Sequence, residues 1–281
     1  MKILLTGAAG FVGRRLLARL ENEHEVHPVV RNRPDDRRAW IVQDLAQPLD
    51  VSRLPSRVDA VIHLAQSRRY REFPAGAADM FAINVESTFR LLEYARGAGA
   101  QTFIYASTGG IYGYSYETLV ETAPANPLNF YLTSKHVAES LVANYQAFFR
   151  TVVFRFFFVY GPGQEGMLVP TLLEKVRKGD QISIAGRPGQ RINPIYVEDA
   201  LDTFAPALAL DRSDVFNVAG DEVVSIRELV AVIEQVTGEP AHVRHVEPEH
   251  DGDLVGDNTR MKEVLGVRPR TSLLDGIRRM L

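Results

Sequence analysis

Tyr131 and Lys135 stand four residues apart at the start of a stretch, 131–149, with helical apolar spacing, so their side chains share one helix face. That pairing has a chemical use. A free phenol gives up its proton near pH 10, and lowering that by about three units takes roughly 4 kcal/mol of preferential stabilisation of the phenolate, part of which a neighbouring ammonium supplies. The phenolate removes the hydroxyl proton of an alcohol whose carbon surrenders hydride; in reverse, the phenol protonates a carbonyl being reduced. Thr108 follows the apolar run 101–106 and Ser107, and its hydroxyl, both donor and acceptor, can hold the same substrate oxygen in line with Tyr131. Such chemistry needs a hydride carrier, and so a turn elsewhere in the chain that holds a dinucleotide.

The N-terminus provides that turn. Ile3, Leu4 and Leu5 are an uninterrupted apolar run, as in a strand covered on both faces, and Val12, Leu16, Leu17 and Leu20 then recur at helical spacing. Between them Gly7, Gly10 and Gly13 let the backbone turn sharply and approach a pyrophosphate, which the first helical N–H groups, from Phe11 and Val12 onward, then face. Residues 25–30 read as the second strand. A carboxylate there would serve a ribose 2′-hydroxyl, but the strand ends in Val30-Arg31-Asn32-Arg33, and a guanidinium at Arg31 suits a 2′-phosphate, so NADP is expected over NAD. Pro28 inside this strand removes a ladder donor. Residues 41–45 and 60–65 read as the third and fourth strands, and His63 within the latter reads as a satisfied, half-buried histidine.

With 281 residues, 46% of them hydrophobic, 24% charged and a net charge of −3, the chain suits a water-soluble α/β protein and gives no sign of nucleic-acid or membrane binding. It has no cysteine, which excludes disulfides, thiolate metal sites and thiol catalysis; no metal is expected. The early break of the first apolar run at residues 6–10 does not suit a signal peptide or membrane helix, so a cytoplasmic location is expected. Residues 77–96 read as a long helix ended by Gly97 and Gly99, and 225–237 as an amphipathic helix capped by Ser225 with Glu228 three residues on.

The glycine turn, Ser107-Thr108, Glu121-x-x-Pro124-x-x-Pro127, Tyr131-x-x-x-Lys135 and Tyr160-Gly161-Pro162 together resemble the extended short-chain dehydrogenase/reductases, the NAD-dependent epimerase/dehydratase family. The resemblance continues through residues 190–200, Phe216-Asn217-Val218-Ala219 and Leu265-Gly266-Val267-Arg268-Pro269. It implies a Rossmann-type doubly wound parallel sheet with a small C-terminal substrate-binding lobe, the dinucleotide domain taking residues 1–162 and 190–219 and the lobe 163–189 and 220–281. It also implies that Thr108, Tyr131 and Lys135 are catalytic, that Lys135 holds the nicotinamide ribose, and that Leu45, Leu64 and Ala65 line the cofactor. Asp44 is placed either near the adenine or in an Asx-turn of its own loop, and both stay open. Substrate contacts fall to Ser107, Thr108, Phe158 and Arg191, the arginine facing a phosphate, and Asn84 supports the active-site helix. A homodimer is implied as well.

Three departures shape the functional expectation. Gly109-Gly110 stand where dehydratases of the family carry Asp-Glu, so groups for water loss are missing. Phe158 stands where sugar-nucleotide enzymes often have asparagine, and Glu249, His250 and Asp251 lie where a second arginine commonly grips a diphosphate. The expected activity is an NAD(P)-dependent epimerase or oxidoreductase of a secondary alcohol or ketone on a sugar, nucleotide-linked in the leading reading. The alternatives are an NADP-dependent ketoreductase of a smaller apolar carbonyl and a non-catalytic redox sensor.

Overall fold

Ile3, Leu4 and Leu5 are fully buried, as a strand inside a parallel sheet covered on both faces demands. The computed structural model describes residues 1–34, 38–248 and 251–281. In chain order its elements are β1 (Lys2–Thr6), α1 (Phe11–Leu20), β2 (Glu25–Val30), β3 (Ile41–Val42), β4 (Ala60–His63), α2 (Ala77–Met80), a π-helical turn (Phe81–Glu86), α3 (Ser87–Gly97), β5 (Thr102–Thr108), α4 (Phe130–Asn144) and β6 (Arg150–Phe156). There follow α5 (Leu168–Lys178), β7 (Gln181–Ala185), β8 (Arg191–Ile192), α6 (Val197–Leu201), α7 (Phe204–Ala209), β9 (Asp214–Val218), β10 (Val224–Ser225), α8 (Ile226–Thr237), β11 (His242–Val246), α9 (Thr259–Val264) and α10 (Leu273–Arg278). The chain divides into two compact units, one of Met1–Ile111, Ala125–Arg155 and Phe204–Val215, the other of Tyr112–Pro124, Phe156–Thr203 and Phe216–Leu281. No helix of the described residues is long and apolar enough to cross a membrane.

The expected doubly wound sheet is present, seven-stranded in the order β3-β2-β1-β4-β5-β6-β9. Strand β1 pairs in parallel with β2 on one side and β4 on the other, so the strand order reverses at β1 and opens a crevice at the carboxyl ends of β1 and β4. Strand β3 is shorter than the sequence suggests, because Gln43 turns its amide onto the Asp44 and Pro48 carbonyls and Asp44 folds back on the Ala46 N–H. That shortness also accounts for Pro28: β3 pairs only Val29 and Val30, leaving the earlier part of β2 an edge where a missing donor is tolerated. Leu91, Leu92 and Ala95 of α3 and Ala138 and Val142 of α4 pack over Leu4, Val61, Phe103 and Tyr105 of the sheet.

Residues 77–96 are not one regular helix. The π-helical turn bulges the backbone and carries Asn84, 1% exposed, between α2 and α3. A buried chain of hydrogen bonds ties that bulge to the sheet. The Thr88 hydroxyl donates to the Asn84 carbonyl (2.7 Å), so toward His63 Nε2 (3.1 Å) it can only accept, and His63 carries its proton on Nε2. His63 Nδ1 therefore accepts from the Thr6 hydroxyl (2.6 Å), whose oxygen receives the Ala65 N–H. His63 is the satisfied histidine that the sequence suggests, and burial, with the Lys135 ammonium adding to it, pushes its pKa down to about 3.

Within the second unit, β7 pairs in parallel with β11, β8 pairs antiparallel with β10, and α8 packs against α5 and α10. Helix α8 has the expected capping box, Ser225 accepting from the Glu228 N–H and Glu228 from the Ser225 N–H. The motif residues meet here: Tyr112 donates to Asn217 Oδ1 (2.8 Å), the Asn217 N–H reaches Glu121, and Asn193 bonds the Gly220 and Gly256 backbones. Phe158 has φ +45°, in the left-handed region where asparagine is favoured and a bulky side chain is strained.

Two outcomes follow from these positions. Because the unfolded chain protonates His63 near pH 6.5 and the folded one only near 3, its contribution to stability is complete above 6.5 and is lost as pH falls toward 3, at up to about 1.4 kcal/mol per pH unit. Urea unfolding of His63→Gln between pH 7 and 4 should lose stability less steeply than the parent, and equal slopes would refute a ring kept neutral by burial. Phe158→Asn should melt at or above the parent temperature, whereas Phe158→Val, β-branched in a left-handed backbone, should melt about 2–4 °C lower for each kcal/mol of added strain.

Candidate active site

At the switch point the backbone comes too close for side chains. A Cβ on Gly13 would lie 2.1 Å from the Gly7 carbonyl oxygen, and one on Gly7, at φ +69°, would lie 2.8 Å from both Leu64 C and Ala65 N. The Gly10 N–H closes the turn on the Gly7 carbonyl (2.9 Å), and Gly10 caps α1 with no side chain over the helix end and no acidic residue in its first turn. Gly7, Gly10, Phe11, Val12, Gly13, Leu64 and Ala65 thus gather at the carboxyl ends of β1 and β4. A pyrophosphate fits this turn, since the approach is bare backbone and the helix end presents unspent N–H groups. Asp44 takes the Asx-turn, accepting from the Ala46 N–H (3.0 Å), and Leu45 is buried beside it. Arg31 lies exposed beyond β2.

Thr108, at the end of β5, accepts the Gly110 N–H through its hydroxyl oxygen (3.2 Å), which leaves its proton available to donate outward. Ser107 next to it keeps a buried hydroxyl with no partner. The first turn of α4 lies directly against this strand end: a Cβ on Gly110 would sit 2.7 Å from Leu132 Cδ2 and 3.5 Å from the Thr108 hydroxyl. Gly110, one of the pair that sets this chain apart from the dehydratase pattern, therefore gives the Leu132 side chain its room against this strand end.

One turn along α4, Lys135 is 1% exposed; its Nζ donates to the Ala106 carbonyl of β5 and sits 4.2 Å from the centre of the Tyr105 ring. Burial pulls the ammonium down to about 7, partly opposed by Glu139 a further turn on. Glu139 is itself held by Arg155, which donates from Nε at 3.1 Å and from Nη2 at 2.7 Å to the same carboxylate oxygen. Tyr131 is half-buried, and desolvation holds its phenol above the ordinary range. Its hydroxyl donates to Gln66 Oε1 at 2.8 Å.

Asn84 fixes this arrangement from beneath. Its Oδ1 accepts the Ser67 N–H (2.9 Å) and its Nδ2 donates to the Ser134 hydroxyl (2.9 Å), which in turn donates to the Tyr131 carbonyl (2.7 Å). The π-helical turn, the 66–76 loop and the start of α4 are thereby locked together. Ser67 and Ser134 carry no sequence signal for these roles, Ser134 being an unspecified position within the Tyr131-x-x-x-Lys135 spacing; Gln66 opens the polar run to Arg71 that follows a strand's carboxyl end, where open α/β sheets place their ligands.

In the second unit, Arg191 is half-exposed and bound to Asp253, with Nε and Nη2 each 2.7 Å from Oδ2 and the Arg191 N–H 2.7 Å from Oδ1. It lines a cleft of about 610 Å³ with Tyr114, Tyr116, Arg187, Gln190 and Asp251. Glu249 and His250 lie outside the described residues.

A model of the NAD dependent epimerase/dehydratase family matches residues 3–219. An uncharacterized UDP-glucose epimerase, YtcB of Bacillus subtilis, is 28% identical over 99% of this chain and 96% of its own. The UDP-glucuronic acid 4-epimerase of Bacillus cereus, solved with UDP-glucuronic acid and NAD, superposes with a TM-score of 0.89 at 25% identity, covering 100% of this chain and 98% of that one. MoeE5, solved with UDP-glucuronic acid and NAD, gives 0.88 at 28% identity over 100% and 97%. Both solved proteins hold NAD, which corrects the preference for NADP read from Arg31. An exposed guanidinium past a strand end is solvated and sets no cofactor preference by itself, and the sequence position of an arginine does not report where its head group lies. Motif, fold and likeness agree that this chain belongs to the NAD-dependent epimerase/dehydratase family.

Proposed function

We propose that this protein is an NAD-dependent epimerase of a nucleotide-linked sugar, working through Thr108, Tyr131 and Lys135. The observation that carries the reading is the docking of α4 on the end of β5, with the Thr108 proton unspent, the Tyr131 phenol half-exposed and the Lys135 ammonium bound to the same strand. UDP-sugars and NAD in the solved relatives support the substrate and cofactor classes.

The bare glycine turn would hold the pyrophosphate, and Lys135 and Ser107 would serve the nicotinamide end. The chemistry that NAD supplies when bound is reversible acceptance of hydride from a sugar carbon. Tyr131 takes the proton of the hydroxyl on that carbon and later returns it to the keto oxygen, while Thr108 donates to the same oxygen and keeps it in line. The positive charge of Lys135 lowers the cost of the phenolate. Arg191, which lines the cleft of the second unit, is the residue proposed to face a phosphate of the nucleotide. The homodimer implied by the family belongs to the same proposal, supported by the exposed Phe81, Phe89 and Val137 on the π-helical turn, α3 and α4.

Turnover of UDP-glucose or UDP-glucuronic acid should proceed with no net change in cofactor absorbance. Stoichiometric oxidation of reduced cofactor with a small ketone, and no sugar turnover, would replace this reading with ketoreduction. Tyr131→Phe should lower kcat by about 10²–10⁴-fold with nucleotide-sugar affinity little changed. Gly13→Ala should abolish NAD binding in calorimetry, because its Cβ would meet the Gly7 carbonyl, whereas Gly97→Ala, whose Cβ meets nothing within 4 Å, should bind as the parent does.

A further inference from the structure

The partner of the Tyr131 hydroxyl is a side chain from another element. Gln66 lies just past the end of β4, exposed, with Oε1 2.8 Å from the phenol oxygen. Its loop is anchored on both sides of that contact. The Ser67 N–H is held by Asn84, the Ser67 hydroxyl bonds Asp79, and the Arg69 N–H donates to Ser67 (3.1 Å). Further along, the Tyr70 ring lies 5.5 Å from the Tyr131 ring and Phe73 stacks on Phe130. The amide is thus delivered to the phenol by a fixed loop.

In the orientation observed the amide offers the phenol its oxygen, which has lone pairs and no proton, so it bonds the phenol; serving the phenolate would require the amide to turn its Nε2–H inward. The substrate hydroxyl that Tyr131 deprotonates must occupy the same position on the phenol oxygen. We propose that Gln66 is a positioning residue for proton transfer: in the free enzyme its amide oxygen holds the Tyr131 phenol protonated and aimed, the phenol gives that proton to solvent as the active phenolate forms, and the reacting hydroxyl of a bound sugar then takes the amide's place and passes its own proton to Tyr131. This inference rests on Tyr131 being the proton-transfer group. The other ionisable groups around the phenol are Lys135 on α4, Tyr70 in the loop and Tyr105 on β5, with His63 on β4 and the Glu139–Arg155 pair beyond Lys135. All are common to the variants compared below.

The test is the pH dependence of the NAD-loaded enzyme, since kcat/KM reports groups of the free enzyme and kcat those of the substrate complex. In Gln66→Ala the acid limb of kcat/KM should move down by about one pH unit, a tenfold gain at the acid end, while the acid limb of kcat stays in place. Gln66→Glu, whose carboxylate binds the phenol more strongly and repels the phenolate, should move the kcat/KM limb up. Unmoved limbs in both variants, a kcat/KM limb that rises in Gln66→Ala, or equal movement of both limbs would each overturn the inference. Tyr131→Phe separates the two levels: if it retains turnover, the assignment of Tyr131 has failed, and if it is inactive while the Gln66 limbs stay fixed, only the role of Gln66 has failed.

Discussion

An ammonium with almost no contact with water must be held by its surroundings, and the way Lys135 is held dictates how α4 lies on the sheet. Its nitrogen reaches the Ala106 carbonyl and the face of Tyr105, both on β5, so helix and strand are pinned at the turn that carries Tyr131. A buried charge without such partners would cost several kcal/mol. Glu139, clamped by Arg155, puts a compensating negative charge one turn further along the same face. The packing of α4 on β5 and the solvation of one lysine are therefore a single constraint, and it is satisfied only if the strand end and the helix start are in contact.

Close approach recurs at two glycine sites, one beside the α4–β5 contact and one at the turn into α1. Gly110 leaves room for Leu132, and Gly13 leaves room for the Gly7 carbonyl. At Gly110 the space is taken by the end of a leucine side chain, and at Gly13 by backbone, which leaves the α1 end bare.

Much of this was legible in the residues. The buried first strand, the glycine turn, β2 from residue 25 to 30 and the capping box of α8 follow from local rules, because period, turn chemistry and capping act over a few neighbouring residues. The Tyr131–Lys135 face was legible for the same reason. The π-helical turn was not, since Ala77 to Arg96 has continuous helical spacing and the extra residue shows only when Asn84 meets Ser67 and Ser134. Arg31 misled because an arginine's reach exceeds what a sequence position specifies. Pro28 looked out of place until β3 proved too short to pair alongside it.

The distribution of hydrogen-bonding capacity separates scaffold from site. His63, Thr88, Asn84 and Ser134 are buried with donors and acceptors committed to one another, and the tautomer of His63 is fixed by that commitment. A few ångströms of chain away, Ser107 has no partner, Thr108 retains its proton, and Tyr131 spends its proton on an exposed side chain. Polar groups left unspent in a partly buried place are costly unless something else completes them. Other buried atoms, among them the Tyr105 hydroxyl and His136 Nδ1, also lack partners, but at the end of β5 and the start of α4 such groups lie beside an exposed phenol, and that combination is what the proposed sugar site would require.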